Sequence, residues 1–345
     1  MERRRKPTFL VNEELAYLFM EKLVDRFNRR IDYLRISVTD RCNLRCLYCM
    51  PECGITNKRH EELLTFEEIA RVVRVAASLG IKRVRLTGGE PLVRKGIVEL
   101  VGSLSRINGI EDISMTTNGI LLNEYAVRLK EAGLKRVNIS LDTLDAGRYR
   151  SITRFGELED VEDALRKAVK IGLSPVKINA LLLDGMTKDE VYRFFALTLE
   201  DPIHVRFLEF MPVNSFYKNA APISAGMVMD AARGFRRFYS AEVLGVGPAR
   251  AFRFEGGLGT FGIIAPMTCK FCSSCNRLRL TSDGYLKGCL HSNAKISLRE
   301  PLRKGISDEG LRGLIMSSVE AKPKEHGLGL EPAESSEYLM CQIGG

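Results

Sequence analysis

The 345-residue sequence has no apolar run near the length of about 20 residues that a membrane-spanning helix needs. Residues 1–19 carry early arginines but lack the apolar core and small-residue cleavage site of a secretory signal peptide. We therefore expect no membrane partner and a cytoplasmic location. Thiols stay reduced in that compartment, so clustered cysteines indicate metal binding more than disulfides.

The sequence also lacks the interleaved basic and aromatic residues that are typical of a nucleic-acid-binding surface, and only residues 2–6, ERRRK, form a short basic cluster. Lysine and arginine nevertheless outnumber aspartate and glutamate by 52 to 43, which gives a net charge of +9. An excess of this size favours a polyanionic partner such as a nucleotide, a nucleic acid or an acidic protein. Because the aromatic pattern is missing, we do not expect nucleic acid.

Short β-rich runs alternate with helical patterns along most of the chain. The clearest helix is 66–79, where Thr65 and Glu68 form a capping-box pattern and Gly80 can end the helix; 123–133 has similar signals. Alternating βα units predict a parallel sheet with right-handed crossovers. Six such units can curl into an incomplete barrel or stay an open doubly wound sheet, and the pattern does not decide between them. The predicted strands are 33–38, 83–87, 112–117, 136–141, 176–183 and 204–210.

The last third of the sequence has a different character. Residues 249–266 and 277–290 each read as a β-hairpin, with turns at Gly256–Gly257 and Asp283–Gly284, and helices are expected around 296–320. We therefore divide the chain into a helical extension at 1–22, an α/β part at 23–212 and a hairpin-and-helix part at 213–345 that ends in Gly-Gly.

The stretch SVTDRCNLRCLYCMPECG, residues 37–54, carries four of the nine cysteines. Cys42, Cys46 and Cys49 are separated by three and by two residues, and Cys53 follows after three more. Four thiolates would close a structural zinc or iron–sulfur site, whereas three would leave one iron with an open position. The triplet follows the first predicted strand, at the strand end where parallel α/β sheets place their active sites.

A glycine pair in LTGGEP, residues 86–91, follows the second predicted strand and can expose backbone groups to a polar ligand. CNLRCLYC and GGEP together resemble the motifs of the radical S-adenosylmethionine enzymes. The resemblance implies that Cys53 is not a ligand and that a free iron binds S-adenosylmethionine. The [4Fe–4S] cluster is then held by Cys42, Cys46 and Cys49.

A second cysteine group lies in CKFCSSCNRLRLTSDGYLKGCL, residues 269–290. It resembles the auxiliary cluster of the GTP 3′,8-cyclase family of molybdenum-cofactor biosynthesis. The final IGG and the segments YLRISVTDRCNLRC, RLTGGEPLVRK, TTNG, NISLD and RFLEFMP extend the resemblance over residues 23–345. Cys269 departs from the family pattern and offers an alternative ligand. We keep the expected ligands of a second [4Fe–4S] cluster, with one free iron, as Cys272, Cys275 and Cys289.

The resemblance implies an α/β fold, an incomplete (βα)6 TIM-like barrel with a C-terminal β-hairpin and helix region that carries the second cluster. It implies a lyase in which an adenosyl radical removes hydrogen from C3′ of GTP and the C3′ radical adds to C8 of guanine. The product would be (8S)-3′,8-cyclo-7,8-dihydroguanosine 5′-triphosphate, the first intermediate of molybdenum-cofactor biosynthesis.

The resemblance also implies binding residues. The Gly344–Gly345 tail is expected to enter the active site and support the radical step. Arg83 and Arg206 are further candidate cations for GTP. Contacts to S-adenosylmethionine are expected from Tyr48, Gly89, Ser140 and Met211. Contacts to GTP are expected from Arg35, Arg85, Thr116, Lys177, Arg277, Leu278 and Arg279.

The implied partners are GTP, an external low-potential electron donor and a downstream cyclic pyranopterin monophosphate synthase, and the resemblance leaves a homodimer open. Two other functions share part of the pattern. A radical maturase that modifies a peptide would have both cysteine sets but needs neither clustered arginines nor a Gly-Gly end. A non-enzymatic protein with two zinc sites and a nucleic-acid-binding role would use the same cysteines without iron.

Overall fold

A computed structural model of the chain describes residues 23–212, 217, 223–243, 247–327 and 339–343. The predictions for residues 1–22 and for the final glycine pair lie outside the described residues. All nine cysteines are free thiols. No helix within the described ranges combines the length and the apolar character needed to cross a membrane.

Twelve strands pair into one continuous sheet within the described residues. Their order across the sheet is β12-β11-β10-β1-β2-β3-β4-β5-β6-β9-β8-β7. The strands are β1 (Tyr33–Ser37), β2 (Arg83–Thr87), β3 (Asp112–Thr117), β4 (Arg136–Ser140), β5 (Val176–Leu182), β6 (Ile203–Glu209), β7 (Phe238–Ala241), β8 (Arg250–Phe254), β9 (Thr260–Ile264), β10 (Arg277–Leu280), β11 (Tyr285–Lys287) and β12 (Ile296–Ser297).

The first six strands are parallel and lie side by side in chain order. A doubly wound sheet reverses its strand order in the middle. Here no reversal occurs, so right-handed crossovers place the connecting helices on one face, as in a barrel. The order ends at β12 and β7 without closing, and the incomplete six-unit barrel is therefore confirmed.

The strands of the last third extend this barrel at both edges. β9 adds in parallel to β6, and β10 adds in parallel to β1. Both predicted hairpins are confirmed, since β8 pairs antiparallel with β9 and β10 pairs antiparallel with β11. The C-terminal part thus continues the sheet of the N-terminal part instead of forming a separate layer.

Helices connect the strands and cover the outer face of the sheet. The side chain of Thr65 accepts from the backbone of Glu68, and the Glu68 carboxylate accepts from the backbone of Thr65, so the predicted capping box starts the first helix. The helices are α1 (Phe66–Ser78), α2 (Ile97–Ser105), α3 (Leu122–Glu131), α4 (Ala146–Thr153), α5 (Leu158–Lys170), α6 (Lys188–Glu200), α7 (Ala225–Phe235), α8 (Arg299–Arg303), α9 (Asp308–Glu320) and α10 (Met340–Ile343).

The hydrophobic core lies between these helices and the outward-facing strand residues. Leu34 and Ile36 of β1, and Val84 and Leu86 of β2, are buried there with the apolar faces of the helices. Successive strand residues point to opposite faces. The alternate residues of the same strands, such as Arg35 and Arg85, therefore point into the barrel.

Candidate active site

The interior of the barrel is polar. A parallel barrel is ordinarily filled by layers of branched apolar side chains. Here most of the alternate strand positions that oppose the apolar core carry cationic and other polar groups, with Leu181 and Leu208 as apolar exceptions, so the interior suits an anionic ligand. These residues are Tyr33, Arg35, Arg85, Ser114, Thr116, Arg136, Asn138, Lys177, Asn179, His204 and Arg206.

Hydrogen bonds orient several of these cations. Arg85 donates through Nε to the hydroxyl of Ser114 at 3.2 Å. With its amide oxygen turned toward the guanidinium groups, Asn138 accepts from Arg206 at 2.7 Å and also from Arg85. Asn179 accepts from Arg206 as well. Neutral side chains thus hold the guanidinium groups in place without cancelling their charge.

Burial and mutual repulsion act on the cations of the interior. Burial, together with the nearby cations Arg206, Arg136 and Arg85, lowers the pKa of Lys177 to about 7. The pKa of Arg206 falls to about 9, first through burial and then through Arg85. An anion that enters this interior would relieve the repulsion, which is the electrostatic property expected of a phosphate site.

Tyr33 is the one phenol among these interior positions of the six parallel strands. Its side chain is buried, and its hydroxyl has no hydrogen-bond partner in the described part of the chain. Burial by itself would raise the pKa of this phenol, but Arg85, Arg35 and Arg277 lead a group of cations that lowers it. The hydroxyl therefore lies among hydrogen-bond donors and is suited to an acceptor-rich ligand.

The first cysteine set lies on the loop after β1. Burial raises the pKa of Cys42 to about 12, with Glu90 and Cys49 adding to the effect. Burial is also the largest cause of the raised pKa of Cys46, and the neighbouring Cys49 and Cys42 are the next largest causes. Three thiolates so close together need a positive centre, and this donor set fits an iron–sulfur cluster. Cys53 is exposed, and its sulfur lies 3.7 Å from the carbonyl oxygen of Gly54.

The glycine pair of GGEP supports the cysteine loop. The backbone N–H of Gly89 donates to the carbonyl of Thr39 at 2.7 Å, and that of Glu90 donates to Arg41 at 2.8 Å. A Cβ atom on Gly89 would lie 2.2 Å from the carbonyl oxygen of Arg41, and one on Gly88 would lie 2.7 Å from that of Thr39. Only glycine permits this approach.

Glu90 links the loop after β2 to the loop after β3. Its carboxylate accepts from the backbone of Asn118 at 2.7 Å and from the hydroxyl of Thr117 at 2.8 Å. Burial raises the pKa of Glu90 to about 7. The side-chain amide of Asn118 in turn lies 3.8 Å from the sulfur of Cys42. TTNG and GGEP, which are far apart in sequence, therefore support the same cysteine.

Among the residues expected to contact S-adenosylmethionine, Tyr48 lies on the cysteine loop after β1, and Ser140 and Met211 lie at or just after the ends of β4 and β6. Tyr48 donates its hydroxyl to Asp142 at 2.7 Å, and both Tyr48 and Met211 line the central cavity. Ser140 ends β4 and is paired with Asn179 of β5. Burial raises the pKa of Asp142 to about 6. Sequence reasoning missed Asp142, although it belongs to the NISLD segment.

The second cysteine set lies just before β10 and just after β11. Cys272, Cys275 and Cys289 line the same central cavity. Burial would raise the pKa of Cys275, but Lys322 and then Arg277 outweigh it and lower the pKa. Lys322 lies 3.4 Å from the sulfur of Cys275 and also donates to the carbonyl oxygens of Arg277 and Gly288. A buried cation beside a thiolate fits a negatively charged cluster.

Sequence reasoning missed Lys322, since it is one of two lysines in the KPKEHG stretch after α9, which has no metal-site pattern. Cys269, the alternative ligand, is exposed and does not line the central cavity. These placements agree with the expected ligand set, which remains a prediction.

One cavity of about 240 Å³ joins the cationic interior to the second cysteine set. Arg35 and Arg85 line it from the barrel, and Arg277 and Arg279 line it from β10. Leu278, between those two arginines, has its side chain in the core, so that only its backbone faces toward the ligand side. Thr116 and Lys177 lie on inward-facing positions of β3 and β5, beyond the lining of this cavity.

The end of the described chain also reaches the site. Met340 of α10 lines the cavity, and the neighbouring buried thiol of Cys341 raises the pKa of Cys49. α10 therefore ends next to the first cysteine set. Gly344 and Gly345 lie outside the described residues, and their expected role stays a prediction.

Comparison with known proteins identifies the family. A sequence model of the Radical SAM superfamily matches residues 36–198, and one described as Molybdenum Cofactor Synthesis C matches residues 203–328. The chain is 48% identical over 329 residues to a GTP 3′,8-cyclase of Peptoclostridium acidaminophilum, covering 94% of this chain and 98% of that protein. It is 49% identical over 327 residues to a GTP 3′,8-cyclase of Heliobacterium modesticaldum, covering 94% of this chain and 100% of that protein.

A solved structure gives the same fold at low sequence identity. SuiB of Streptococcus suis bound to S-adenosylmethionine superimposes with a TM-score of 0.59, covers 83% of this chain and 69% of SuiB, and is 16% identical in sequence. This likeness supports the fold alone. The identity to the cyclases over almost the whole chain goes further, and the chain therefore belongs to the radical SAM superfamily and, within it, to the GTP 3′,8-cyclase family.

Proposed function

We propose that this chain converts GTP to (8S)-3′,8-cyclo-7,8-dihydroguanosine 5′-triphosphate in the first step of molybdenum-cofactor biosynthesis. It uses S-adenosylmethionine and two [4Fe–4S] clusters. The observation that carries the proposal is the single cavity in which a cationic barrel interior meets the second cysteine set. Such a cavity suits a nucleotide triphosphate, which a peptide-modifying radical enzyme would not require.

Cys42, Cys46 and Cys49 hold the first cluster, and Cys53 stays free of it. The bound cluster and S-adenosylmethionine supply the electron and the radical that removes a hydrogen from the substrate. The protein holds this reactive chemistry at the mouth of a barrel and away from bulk water. Tyr48 and Met211 line the cavity beside the cluster loop, and Gly89 and Ser140 complete the proposed contacts to S-adenosylmethionine.

The triphosphate binds in the barrel interior. Guanidinium groups present forked donors that match phosphate oxygens, and a site of several such groups fixes the orientation of the nucleotide. The backbone of Leu278 adds a contact between its two arginine neighbours. The proposed GTP-binding residues are Arg35, Arg85, Thr116, Lys177, Arg277, Leu278 and Arg279, with Arg206 as a further cation.

Cys272, Cys275 and Cys289 hold the second cluster and leave one of its irons open to substrate. Lys322 balances the negative charge of this ligand set through its contact with Cys275. Cys269 is exposed and stays outside the set. With the triphosphate in the barrel, the nucleoside part of GTP extends toward this second set.

The Gly344–Gly345 tail enters the site after GTP binds. Cys341 of α10, three residues before the tail begins, already lies near Cys49. We further propose an external low-potential electron donor, a downstream cyclic pyranopterin monophosphate synthase, a homodimer and a cytoplasmic location.

The decisive experiment is anaerobic incubation of the iron-reconstituted protein with GTP, S-adenosylmethionine and dithionite. We expect 5′-deoxyadenosine and the cyclised nucleotide in equal amounts. An Arg277→Ala, Arg279→Ala double variant should still cleave S-adenosylmethionine slowly but form no cyclised product. Cleavage in wild-type protein that is independent of GTP and yields no nucleotide product would refute the proposal.

A further inference from the structure

Two histidines lie together at the end of the cavity that holds the second cysteine set. His291 and His326 both line the cavity, and their ring centroids are 5.6 Å apart with the planes tilted by 58°. They come from the loop after β11 and from the stretch after α9. None of the binding roles proposed above uses either residue.

The hydrogen bonding of His326 determines which of its ring nitrogens carries the proton. Nε2 lies 3.2 Å from the carbonyl oxygen of Pro266. A carbonyl oxygen only accepts, so Nε2 carries the hydrogen and, in the neutral ring, Nδ1 is left as an acceptor. His326 is 6% exposed, and its Nδ1 has no partner in the described part of the chain.

His291 also has a ring nitrogen without a hydrogen-bond partner, since its Nε2 is buried and lacks a partner among the described residues. Buried polar atoms are rarely left without hydrogen bonds, because burial removes the water that would otherwise bind them. Two such rings, which lie next to each other and line one cavity, indicate that a ligand supplies the missing partners.

The chemistry of the two ends of the cavity indicates which one binds the triphosphate and which one binds the base. The triphosphate requires the cations of the barrel interior, so the base lies toward the histidine end. Guanine differs from the other common purines at C2, where it carries an amino group. Adenine and hypoxanthine carry only hydrogen there, and xanthine carries an oxygen that would face the lone pair of Nδ1.

We propose that His326 is a specificity-determining residue that accepts a hydrogen bond through Nδ1 from the 2-amino group of guanine, with His291 forming the adjoining wall. This inference rests on the proposed function, because it takes the ligand to be a guanine nucleotide. A site that is built to hydrogen-bond an N–H group discriminates against analogues that lack it.

The test is equilibrium binding of GTP, ITP and XTP to the reconstituted protein without reductant, so that no turnover occurs. We expect GTP to bind about tenfold more tightly than ITP, the factor that corresponds to one hydrogen bond, and XTP to bind most weakly. Equal affinities of wild-type protein for GTP and ITP would overturn the inference without any variant.

Two isosteric variants separate the acceptor from the structural role of the ring. His326→Gln places an N–H group near Pro266 but no acceptor near Nδ1, so its affinity for GTP should fall to that for ITP. His326→Asn places an amide oxygen near Nδ1 and should retain the preference. His60→Gln, at an exposed position on the surface, is the matched control and should change nothing.

The outcomes also separate this inference from the proposed function. If wild-type protein fails to bind GTP, the proposed function itself is wrong. If wild-type protein binds and cyclises GTP while His326→Gln keeps the full preference for GTP over ITP, only the role of His326 is wrong. A uniform loss of affinity for all three nucleotides in both variants would assign His326 a structural role and equally overturn the inference.

Discussion

Arg279 of β10 lies directly opposite Arg35 of β1 in the parallel pairing of the two strands. Burial lowers the pKa of Arg35, and Arg279 is the next cause in order of size. Two guanidinium groups on adjacent strands repel each other and are retained where an anion binds between them. The C-terminal part of the chain therefore completes the cationic interior that the barrel begins, where we propose that the triphosphate of GTP binds.

The first prediction concerns these arginines. A charge-assisted hydrogen bond contributes about 1.5–3 kcal/mol, so Arg277→Ala or Arg279→Ala should weaken GTP binding by about ten- to a hundredfold. Binding is measured by calorimetry and by the rise in Tm on adding GTP. Arg166→Ala, an exposed position on α5, is the control. Unchanged GTP affinity in both β10 variants would assign these arginines to a solvated strand face.

The second prediction separates cluster ligands from the extra cysteines. Replacing Cys42, Cys46 or Cys49 by Ala should abolish cleavage of S-adenosylmethionine, while Cys53→Ala should retain it. In the second set, Cys275→Ala should lower the iron content from about eight to about four atoms per chain, and Cys269→Ala should leave it unchanged. Loss of cleavage in a folded Cys53→Ala protein would contradict an open three-cysteine site.

The third prediction concerns Tyr33. Tyr33→Phe keeps the ring, over which the Arg85 guanidinium lies at 5.7 Å, and removes only the unpaired hydroxyl. GTP affinity should fall by about three- to tenfold, the effect of one neutral hydrogen bond. Tyr149→Phe is the matched control, because Tyr149 is also buried with an unpartnered hydroxyl in the described chain but does not line the cavity. Equal effects of the two changes on GTP binding would argue against a ligand contact.

The fourth prediction is a pH dependence that Lys177 controls. Its pKa is lowered from 10.5 to about 7, so the free protein loses this charge as pH rises through about 7. Bound phosphate favours the charged form, and GTP binding should therefore take up a proton and weaken as pH rises, by at most about tenfold per unit. Burial and the cations Arg206, Arg136 and Arg85 lower the pKa of Lys177, while Asp112 raises it.

The matched variant for this effect is Lys177→Arg, which stays charged across the range. GTP binding is measured by calorimetry between about pH 6.5 and pH 8, below the pKa of Arg206, which is about 9. The titration of GTP itself affects both proteins equally, so it cancels when the wild-type protein is compared with Lys177→Arg. In the absence of GTP, the effect of Lys177 on the stability of the folded protein has the opposite dependence on pH. The unfolded state keeps the Lys177 proton up to its ordinary pKa of 10.5, so this residue makes the folded protein more stable as pH rises above about 7. The same pH dependence of GTP binding in both proteins would refute the assignment.

The fifth prediction concerns the chain end. Deleting Gly344 and Gly345 should leave iron content and GTP binding largely intact but sharply reduce cyclised product. Bulky residues in place of the glycines should act in the same way, because glycine permits a close approach to a ligand that a side chain blocks. Product formation at the full-length rate by the truncated protein would show that the tail is only a frayed end.

The sequence by itself determined the local elements of this protein and the places of its two cysteine sets. Strand alternation, the Thr65–Glu68 capping box and the glycine turns of the two hairpins depend on neighbours a few residues apart. The spacing of each cysteine set is local in the same way. These patterns predicted all six parallel strands, both hairpins and the two candidate metal sites.

Only the tertiary structure decided how these elements meet. Strand order distinguished the incomplete barrel from a doubly wound sheet, and register placed Arg279 beside Arg35. Contacts such as that of Arg29 with the carbonyl oxygen of Cys272, 243 residues away, depend on how the whole sheet packs. Lys322 and the histidine pair carry no local signal, because a single polar residue shows its role only when burial removes water and leaves the protein to supply its partner.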